Sequence, residues 1–294
     1  MAVISVFIVN FNGALFIKDC LDSVLASKLS VPLEIIVVDN QSSDNSLDIL
    51  KEYLNDVTVI KNNNNSGFSK GNNIAASFAK GDYFFLLNND TTLFPDTLQT
   101  LYDYMIKHEN IGALVPKLMN KDGSLQAPGS VFGQWKFKSK EPKDVSFVAG
   151  AALLMSKTVY ESINGLDDNL FFYNDDIDLC KVLLKRKLRI VYYPIAELIH
   201  YGGLSTKFRK LGSLIEGYRG GFYVCYKHYG KFLFEIYRLV VFVDILPRLF
   251  IHFLKSFVFA EDKEYVKAYL KVIRINLKRD IFVEHPKVDV ELLT

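Results

Sequence analysis

The sequence predicts an α/β fold, a mostly parallel sheet flanked by helices, followed by a C-terminal α-helical extension. Three observations carry this reading. Short β runs alternate with helical periodicity through the first half of the chain. The strand candidates are continuous apolar runs, as expected of strands covered on both faces. Asn and Asp gather where those runs end, so one rim of the sheet is dense in amides and carboxylates.

Residues 3–10 read as the first strand, and Ile17, Cys20, Leu21, Val24 and Leu25 then recur at helical spacing. Residues 33–38 form an apolar run ending in Asp39-Asn40, residues 46–54 a helix and residues 57–60 a strand. Ile74, Ala75, Phe78 and Ala79 mark a helix closed by Gly81, and residues 83–87 a strand ending in Asn88-Asn89-Asp90. Pro95 stands where a first helical turn tolerates it, ahead of Leu98, Leu101 and Met105 on one face. From about Gly112 the pattern loosens. Residues 146–155 read as a strand rich in small residues, Ile177, Cys180, Leu183 and Leu184 as an amphipathic helix, and residues 189–193 as another strand. A shift in composition near Gly212 separates an expected catalytic unit, 1–211, from a helical region, 212–294.

The chain has 294 residues, half of them hydrophobic, enough for one large domain and an appendage. A net charge of +2 gives no electrostatic footprint for nucleic acid. Cys20, Cys180 and Cys225 are far apart and lack metal-ligand spacing, which implies a reducing compartment, the cytoplasm. The apolar start lacks a basic lead and a cleavage site, so it reads as a strand and not as a signal peptide.

The longest apolar stretch lies between Lys231 and Phe259. Asp244 and Arg248 interrupt it, and such residues at a helix centre cost about 2.5–3.5 kcal/mol on insertion, which argues against a spanning helix. Further on, Val266, Leu270, Ile273 and Leu277 share one face, while Lys267, Lys271, Arg274 and Lys278 share another. A wide apolar face beside a basic stripe suits a helix lying in a membrane interface. The alternative is a helical bundle packed on the first unit or on another subunit, as in a homodimer.

Five segments carry a resemblance: Val38-Asp39-Asn40-Gln41-Ser42-Ser43-Asp44, Asn65-Ser66-Gly67-Phe68, Leu86-Leu87-Asn88-Asn89-Asp90, Gly165-Leu166-Asp167 to Asp175-Asp176-Ile177-Asp178-Leu179, and His200-Tyr201-Gly202-Gly203-Leu204-Ser205. In this order they resemble the family 2 glycosyltransferases of GT-A fold, a Rossmann-like architecture, and especially the rhamnosyltransferase-like branch. The resemblance covers roughly the first 210 residues. It implies an inverting enzyme that moves a sugar from a UDP- or dTDP-sugar, dTDP-rhamnose among them, to a hydroxyl. The acceptor implied is a glycan or a polyprenyl-linked saccharide in cell-surface polysaccharide synthesis at the inner face of the membrane.

Asp39 follows an apolar strand, and a carboxylate accepts a strong hydrogen bond from the N3–H of uracil or thymine; the resemblance places it on the base. Asp44 reads either as a contact there or as a helix cap. Asn10, Asn12, Asn65, Gly67, Asn72 and Asn89 are the other nucleotide and donor candidates, Gly67 opening a helix whose free N–H groups suit an anion or a polar sugar. Asp90 stands where a diphosphate would lie. A hard cation, Mg²⁺ or Mn²⁺, offsets that charge through carboxylate and phosphate oxygens. The family usually carries Asp-x-Asp here, whereas Asn88-Asn89-Asp90 offers one carboxylate. The resemblance makes His200 a second metal ligand. Lys207, Arg209 and Lys210, which follow, read either as a basic flap over the diphosphate or as a solvated face. Asp175 and Asp176 stand at a helix start behind Phe171-Phe172-Tyr173. By position Asp176 is the base, and a neighbouring carboxylate raises its pKa. Asp167 and Gly150 are the acceptor-side candidates. A sugar nucleotidyltransferase would need a Gly-rich basic loop after the first strand, which Asn10-Phe11-Asn12-Gly13 is not. A catalytically silent nucleotide-sugar binder remains the other alternative, on the strength of the single carboxylate at Asp90.

Overall fold

The computed structural model describes residues 2–127, 134–202, 210–283 and 288–293. The expected basic flap, Lys207 and Arg209 with the side chain of Lys210, lies outside the described residues, as does the Gly203-Leu204-Ser205 part of the last motif. Ten strands form one sheet. β1 (Ile4–Asn10) lies between β2 (Leu33–Asp39) and β4 (Tyr83–Asn88), parallel to both, with β3 (Thr58–Asn62) parallel outside β2. Asn10 pairs with Asp39 and Val9 with Asn88, so these strands end level and their polar ends share a rim.

Beyond β4 the sheet is mixed. β8 (Ala152–Ser156) runs antiparallel to β4, β6 (Ile111–Met119) antiparallel to β8, β9 (Arg189–His200) parallel to β6, and β5 (Thr91–Leu93) antiparallel to β9. The short β7 (Lys143–Asp144) also pairs with β9. The loosened pattern hid β6, because Pro116 and Gly112 sit at register shifts where the ladder tolerates them. Only Ala152–Ser156 of the strand expected over 146–155 forms. The strand expected over 189–193 continues to His200, which carries that histidine to the rim.

Side chains alternate across the sheet. Ile4, Val6 and Ile8 pack under α1 (Ile17–Leu25), α2 (Ser46–Lys51) and α4 (Thr97–Met105). Phe7, Ile36 and Phe84 face the opposite way, under α3 (Gly67–Phe78), α5 (Lys157–Ser162) and α6 (Asp175–Lys185). Both faces are therefore covered, as continuous apolar strands require.

The helical region comprises α7 (Lys210–Lys255), broken at Gly230 where φ is 80°, and α8 (Ala260–Lys278). Phe222, Phe234 and Ile245 of α7 enclose Val272 and Ile275 of α8 in a third core that also takes in Leu170. The boundary near residue 212 marks the change from sheet to helix, but the two parts are joined in space. Lys227 Nζ lies 2.7 Å from carboxylate oxygens of both Asp167 and Asp178. The chain then returns as β10 (Val290–Leu293), antiparallel on β3. The face of α8 that is buried carries Ala268, Tyr269, Val272 and Ile275, not the whole stripe read from the sequence. Leu270 and Leu277 of that stripe stay exposed beside the lysines. Among the described residues no helix is long and apolar enough to cross a membrane.

Candidate active site

A cavity of about 440 Å³ opens where β1, β4 and β9 end, lined there by Val9, Asn88, Asn89, Asp90 and His200. Ligands on open α/β sheets sit at such carboxyl ends. Asn40, Asn65 and Gly67 form another part of the wall, and Phe11, Phe68, Phe171, Phe172 and Tyr173 give it an aromatic lining. Gly212, Ser213 and Glu216 of α7 complete it.

The floor under this cavity is a chain of hydrogen bonds. Asp39 is fully buried, and its Oδ2 accepts from Asn10 Nδ2 at 2.9 Å and from Ser42 Oγ at 2.6 Å. Its Oδ1 accepts from the Ser42 N–H at 2.9 Å. Asn10 Oδ1 in turn accepts from Asn89 Nδ2 at 2.8 Å. Asn12, held at φ 50°, spends its amide oxygen on Ser43. Asp39 and Asn10 are buried, and the turn at Ser42 takes part of their hydrogen-bonding capacity, while Asn12 is exposed. Asp44 secures the same turn, accepting from Ala14 N and Ser46 N, each at 3.0 Å.

Gly67 has φ 84°, and a Cβ there would collide with the Phe171 carbonyl oxygen, which accepts from Phe68 N at 2.9 Å. The Asn65–Phe68 loop is thereby tied to the aromatic run that leads to α6. Asn65 Oδ1 caps Gly67 N at 3.0 Å, and Asn40 Nδ2 donates to the Gly67 carbonyl at 3.0 Å. Asn72 is not among the described residues lining the cavity. It is fully buried in α3, donating to the Phe68 carbonyl at 2.9 Å.

Asp90 and His200 meet at the rim, with His200 Nε2 3.3 Å from Asp90 Oδ1 and 3.4 Å from Asn88 Nδ2. The other ring nitrogen, Nδ1, is 2.6 Å from Gln126 Oε1, an acceptor, so Nδ1 is the donor there and Nε2 is the nitrogen turned toward Asp90. A metal-ligating histidine is oriented in this way. The donor set, one carboxylate and one imidazole, fits a cation that takes its remaining ligands from phosphate and water. Among the described residues no third His, Cys, Asp or Glu joins the pair.

Asp175 and Asp176 open α6 behind two residues in the left-handed region, Tyr173 at φ 67° and Asn174 at φ 62°. Non-glycine residues there are strained, which fixes the entry to the helix. Asn174 Nδ2 donates to the Gly217 carbonyl at 3.0 Å, so α7 holds this turn. A Cβ at Gly150 would lie 3.7 Å from Asp176 Cβ and 3.6 Å from Asp175 Oδ2. The next carbonyl, that of Ala151, accepts from Asn88 N at 2.9 Å. The acid pair thus abuts the tip of β4. Burial raises both carboxyls above the usual range, and the charge of Asp176 adds to the effect on Asp175. Asp175 lines a second cavity, of about 470 Å³, together with Asn73, Asp167 and Lys227. Neither acid is among the described residues lining the main cavity. Asp167 accepts from Tyr223 Oη and Lys227 Nζ, each at 2.7 Å. Burial pushes its carboxyl up, but the bonds from Lys227 and Tyr223 outweigh this and hold it below the usual range.

The sequence model of glycosyl transferase family 2 matches residues 5–163. The chain belongs to this family. The hyaluronan synthase of Pasteurella multocida is 28% identical over 216 residues, covering 71% of this chain and 21% of that protein. The N-acetylglucosaminyl-diphospho-decaprenol L-rhamnosyltransferase of Mycobacterium tuberculosis is 23% identical over 210 residues, covering 60% of this chain and 68% of its own length. Among solved structures, GalNAc-T7 with UDP, GalNAc and Mn²⁺ superposes at a TM-score of 0.58 with 19% identity, over 67% of this chain and 43% of that one. The chain spans about a fifth of the synthase's length. The fold is therefore that of GT-A glycosyltransferases.

In this family 2 glycosyltransferase the rim assembles Asp90, His200, Asn89, Asn65 and Gly67 around one cavity, from segments up to 135 residues apart. Sequence reasoning missed Gln126, Asn40 and Glu216. Asn40 stood inside a quoted motif, overshadowed by its charged neighbour. Gln126 and Glu216 carry no local signal, because only the fold brings the loop after β6 and the start of α7 to the rim.

Proposed function

We propose that this chain is an inverting, metal-dependent glycosyltransferase that moves one sugar from a UDP- or dTDP-sugar, dTDP-rhamnose among the candidates, to a hydroxyl of a glycan or lipid-linked acceptor. The observation that supports the reading is the meeting of Asp90 and His200 at the rim, with the acid pair Asp175–Asp176 against Gly150, next to the residue bonded to the end of β4. In this reading Asp90 and His200 hold Mg²⁺ or Mn²⁺. Bound there, the cation supplies charge that offsets the leaving diphosphate. Asp39 is the contact to the base, and Asn10, Asn12, Asn65, Gly67, Asn72 and Asn89 are the other nucleotide and donor residues, with Asn40 holding the Gly67 carbonyl at 3.0 Å. Asp176 takes the proton of the acceptor hydroxyl, and its raised pKa suits a base working near neutrality. Asp175 is the second acid of the catalytic pair. Asp167 and Gly150, beside the acids, belong to the acceptor side.

A broad apolar surface supports a peripheral membrane location. Phe232, Leu239, Val243, Phe250, Phe257 and Val258 are exposed along α7 and the turn after it. Lys231, Arg248, Lys255 and Lys263 are exposed on the same region, interleaved with the exposed acids Glu235, Asp244, Glu261 and Glu264, so the lipid reading rests on the breadth of the apolar surface.

A panel of UDP- and dTDP-sugars with Mg²⁺ or Mn²⁺, scored for slow donor hydrolysis and thermal stabilisation, tests the reading. One donor standing out, and chelation abolishing the effect, is the expected result. A flat panel contradicts it.

A further inference from the structure

The sheet does not supply the whole wall of the main cavity. Gly212, Ser213 and Glu216, from the first turns of α7, line it beside Asn88, Asp90 and His200. We infer that Glu216 is a specificity-determining residue whose carboxylate accepts hydrogen bonds from hydroxyls of the donor sugar. The inference rests on the proposed glycosyl transfer and adds to it a contact from outside the family-matched segment, residues 5–163.

Three features lead to it. Glu216 lines the cavity, and its side chain is only 18% exposed. Burial holds its carboxyl above the usual range against the opposing charges of Arg219 and Lys271. A buried carboxylate without adequate partners is costly, and hydroxyl donors offset that cost.

Its protein partner leaves acceptor capacity unused. A single nitrogen of Arg219, Nη1, approaches both oxygens, at 3.2 Å to Oε1 and 3.4 Å to Oε2. Among the described residues the Arg219 Nε is buried with no hydrogen-bond partner. Arg–carboxylate pairs are frequently bidentate, with two parallel bonds. Here one nitrogen serves two oxygens that together offer about four acceptor positions. Arg219 acts as a positioning residue that keeps Glu216 charged.

Location distinguishes the sugar from the base, whose N–H is also a donor. Gly217, next in sequence, accepts from Asn174, and Asn174 immediately precedes the acid pair. The turn bearing Glu216 is thereby tied to the segment that acts on the reacting end of the donor. Asn40 and Asn65 belong to the ends of β2 and β3, on the opposite flank of β1 from His200. The diphosphate, an anion, is repelled by a carboxylate.

The experiment compares wild type with Glu216→Gln and Glu216→Ala in the full chain. Kd is measured for free UDP and free dTDP, and kcat/KM for hydrolysis of UDP-glucose, UDP-galactose and dTDP-rhamnose. Expected are nucleotide affinities within about twofold of wild type, unchanged melting of the near-isosteric Gln variant, and at least a tenfold loss in kcat/KM for the donor that wild type prefers. Equal losses for free nucleotide and nucleotide sugar would overturn the inference, since they mark a base contact or a damaged fold. Unchanged hydrolysis in both variants would overturn it as well. If wild type binds neither nucleotide, the proposed function itself fails and takes this inference with it.

Discussion

His200 Nε2 lies 3.3 Å from Asp90 Oδ1. The two residues are 110 positions apart, and the twelve-residue strand β9 carries the histidine to the carboxylate. Gln126 fixes the ring from its far side, accepting from Nδ1 at 2.6 Å. Loss of such a support weakens metal binding by about 10–100-fold. Gln126→Leu is accordingly expected to raise the Mn²⁺ concentration needed for half-maximal donor hydrolysis by that factor, while maximal turnover at saturating metal changes far less. A metal titration of both proteins checks this; identical curves would remove the metal role from His200.

The acid pair gives the protein a defined pH response. Burial raises Asp175 to about 7 and Asp176 to about 6, so both bind protons more tightly in the folded chain than in the unfolded one. The stability contributed by protonation is fully present below the unfolded value of about 4 and is lost as pH rises through the folded values. Catalysis needs the opposite form, so turnover rises over the same range. Replacing Asp175 with Asn removes one of the two raised groups but leaves the burial that raises Asp176. The acidic limb of the rate profile, set by Asp176, is then expected to stay near its wild-type position, while the melting temperature falls less between pH 5 and 8, a range bracketing the raised values. Thermal melts and rate profiles across this range test both expectations.

Gly67 and Gly123 form a matched pair. Both have positive φ, 84° and 79°, but only at Gly67 does an added Cβ meet another atom, the Phe171 carbonyl; at Gly123 nothing lies within 4 Å. Either substitution to Ala carries left-handed strain of about 1–3 kcal/mol. Gly67→Ala alone is expected to lower donor turnover more than tenfold, because it pushes the donor loop away from the segment leading to Asp175–Asp176. Equal turnover losses in the two variants would show that the Gly67–Phe171 contact does not serve the site.

For the apolar surface, point changes test more cleanly than truncation, since ending the chain near residue 212 would also remove a cavity wall and the strand on β3. Phe232→Ser with Phe257→Ser, at positions 78% and 75% exposed, is expected to abolish flotation with anionic vesicles while leaving the melting temperature within a degree or two. Flotation unchanged by the pair would contradict the lipid reading; a fall in oligomer size instead would favour a second copy of the chain.

The parallel half of the sheet was readable because its strands are unbroken apolar runs ending in Asn or Asp, a signal local to each segment. The rest was less legible for identifiable reasons. Pro116 disguised β6, and the apolar stripe of Leu270 and Leu277 pointed outward because Tyr269, Val272 and Ile275 pack better against α7. Within the site, sequence pointed to the charged residues but not to their partners. Ser42 beside Asp39, and Lys227 with Tyr223 beside Asp167, are partners that the sequence did not announce. Hydrogen bonds made across long separations leave no trace in local pattern.

The most direct test of the account is Asp176→Asn. The substitution keeps volume and removes the proton acceptor beside the β4 tip. Sugar transfer with the preferred donor should fall by at least about 100-fold, as loss of a general base does, while UDP or dTDP affinity stays within about twofold. Transfer at the wild-type rate, or the absence of any turnover in the wild type despite tight nucleotide binding, would contradict it and leave a binder without catalysis.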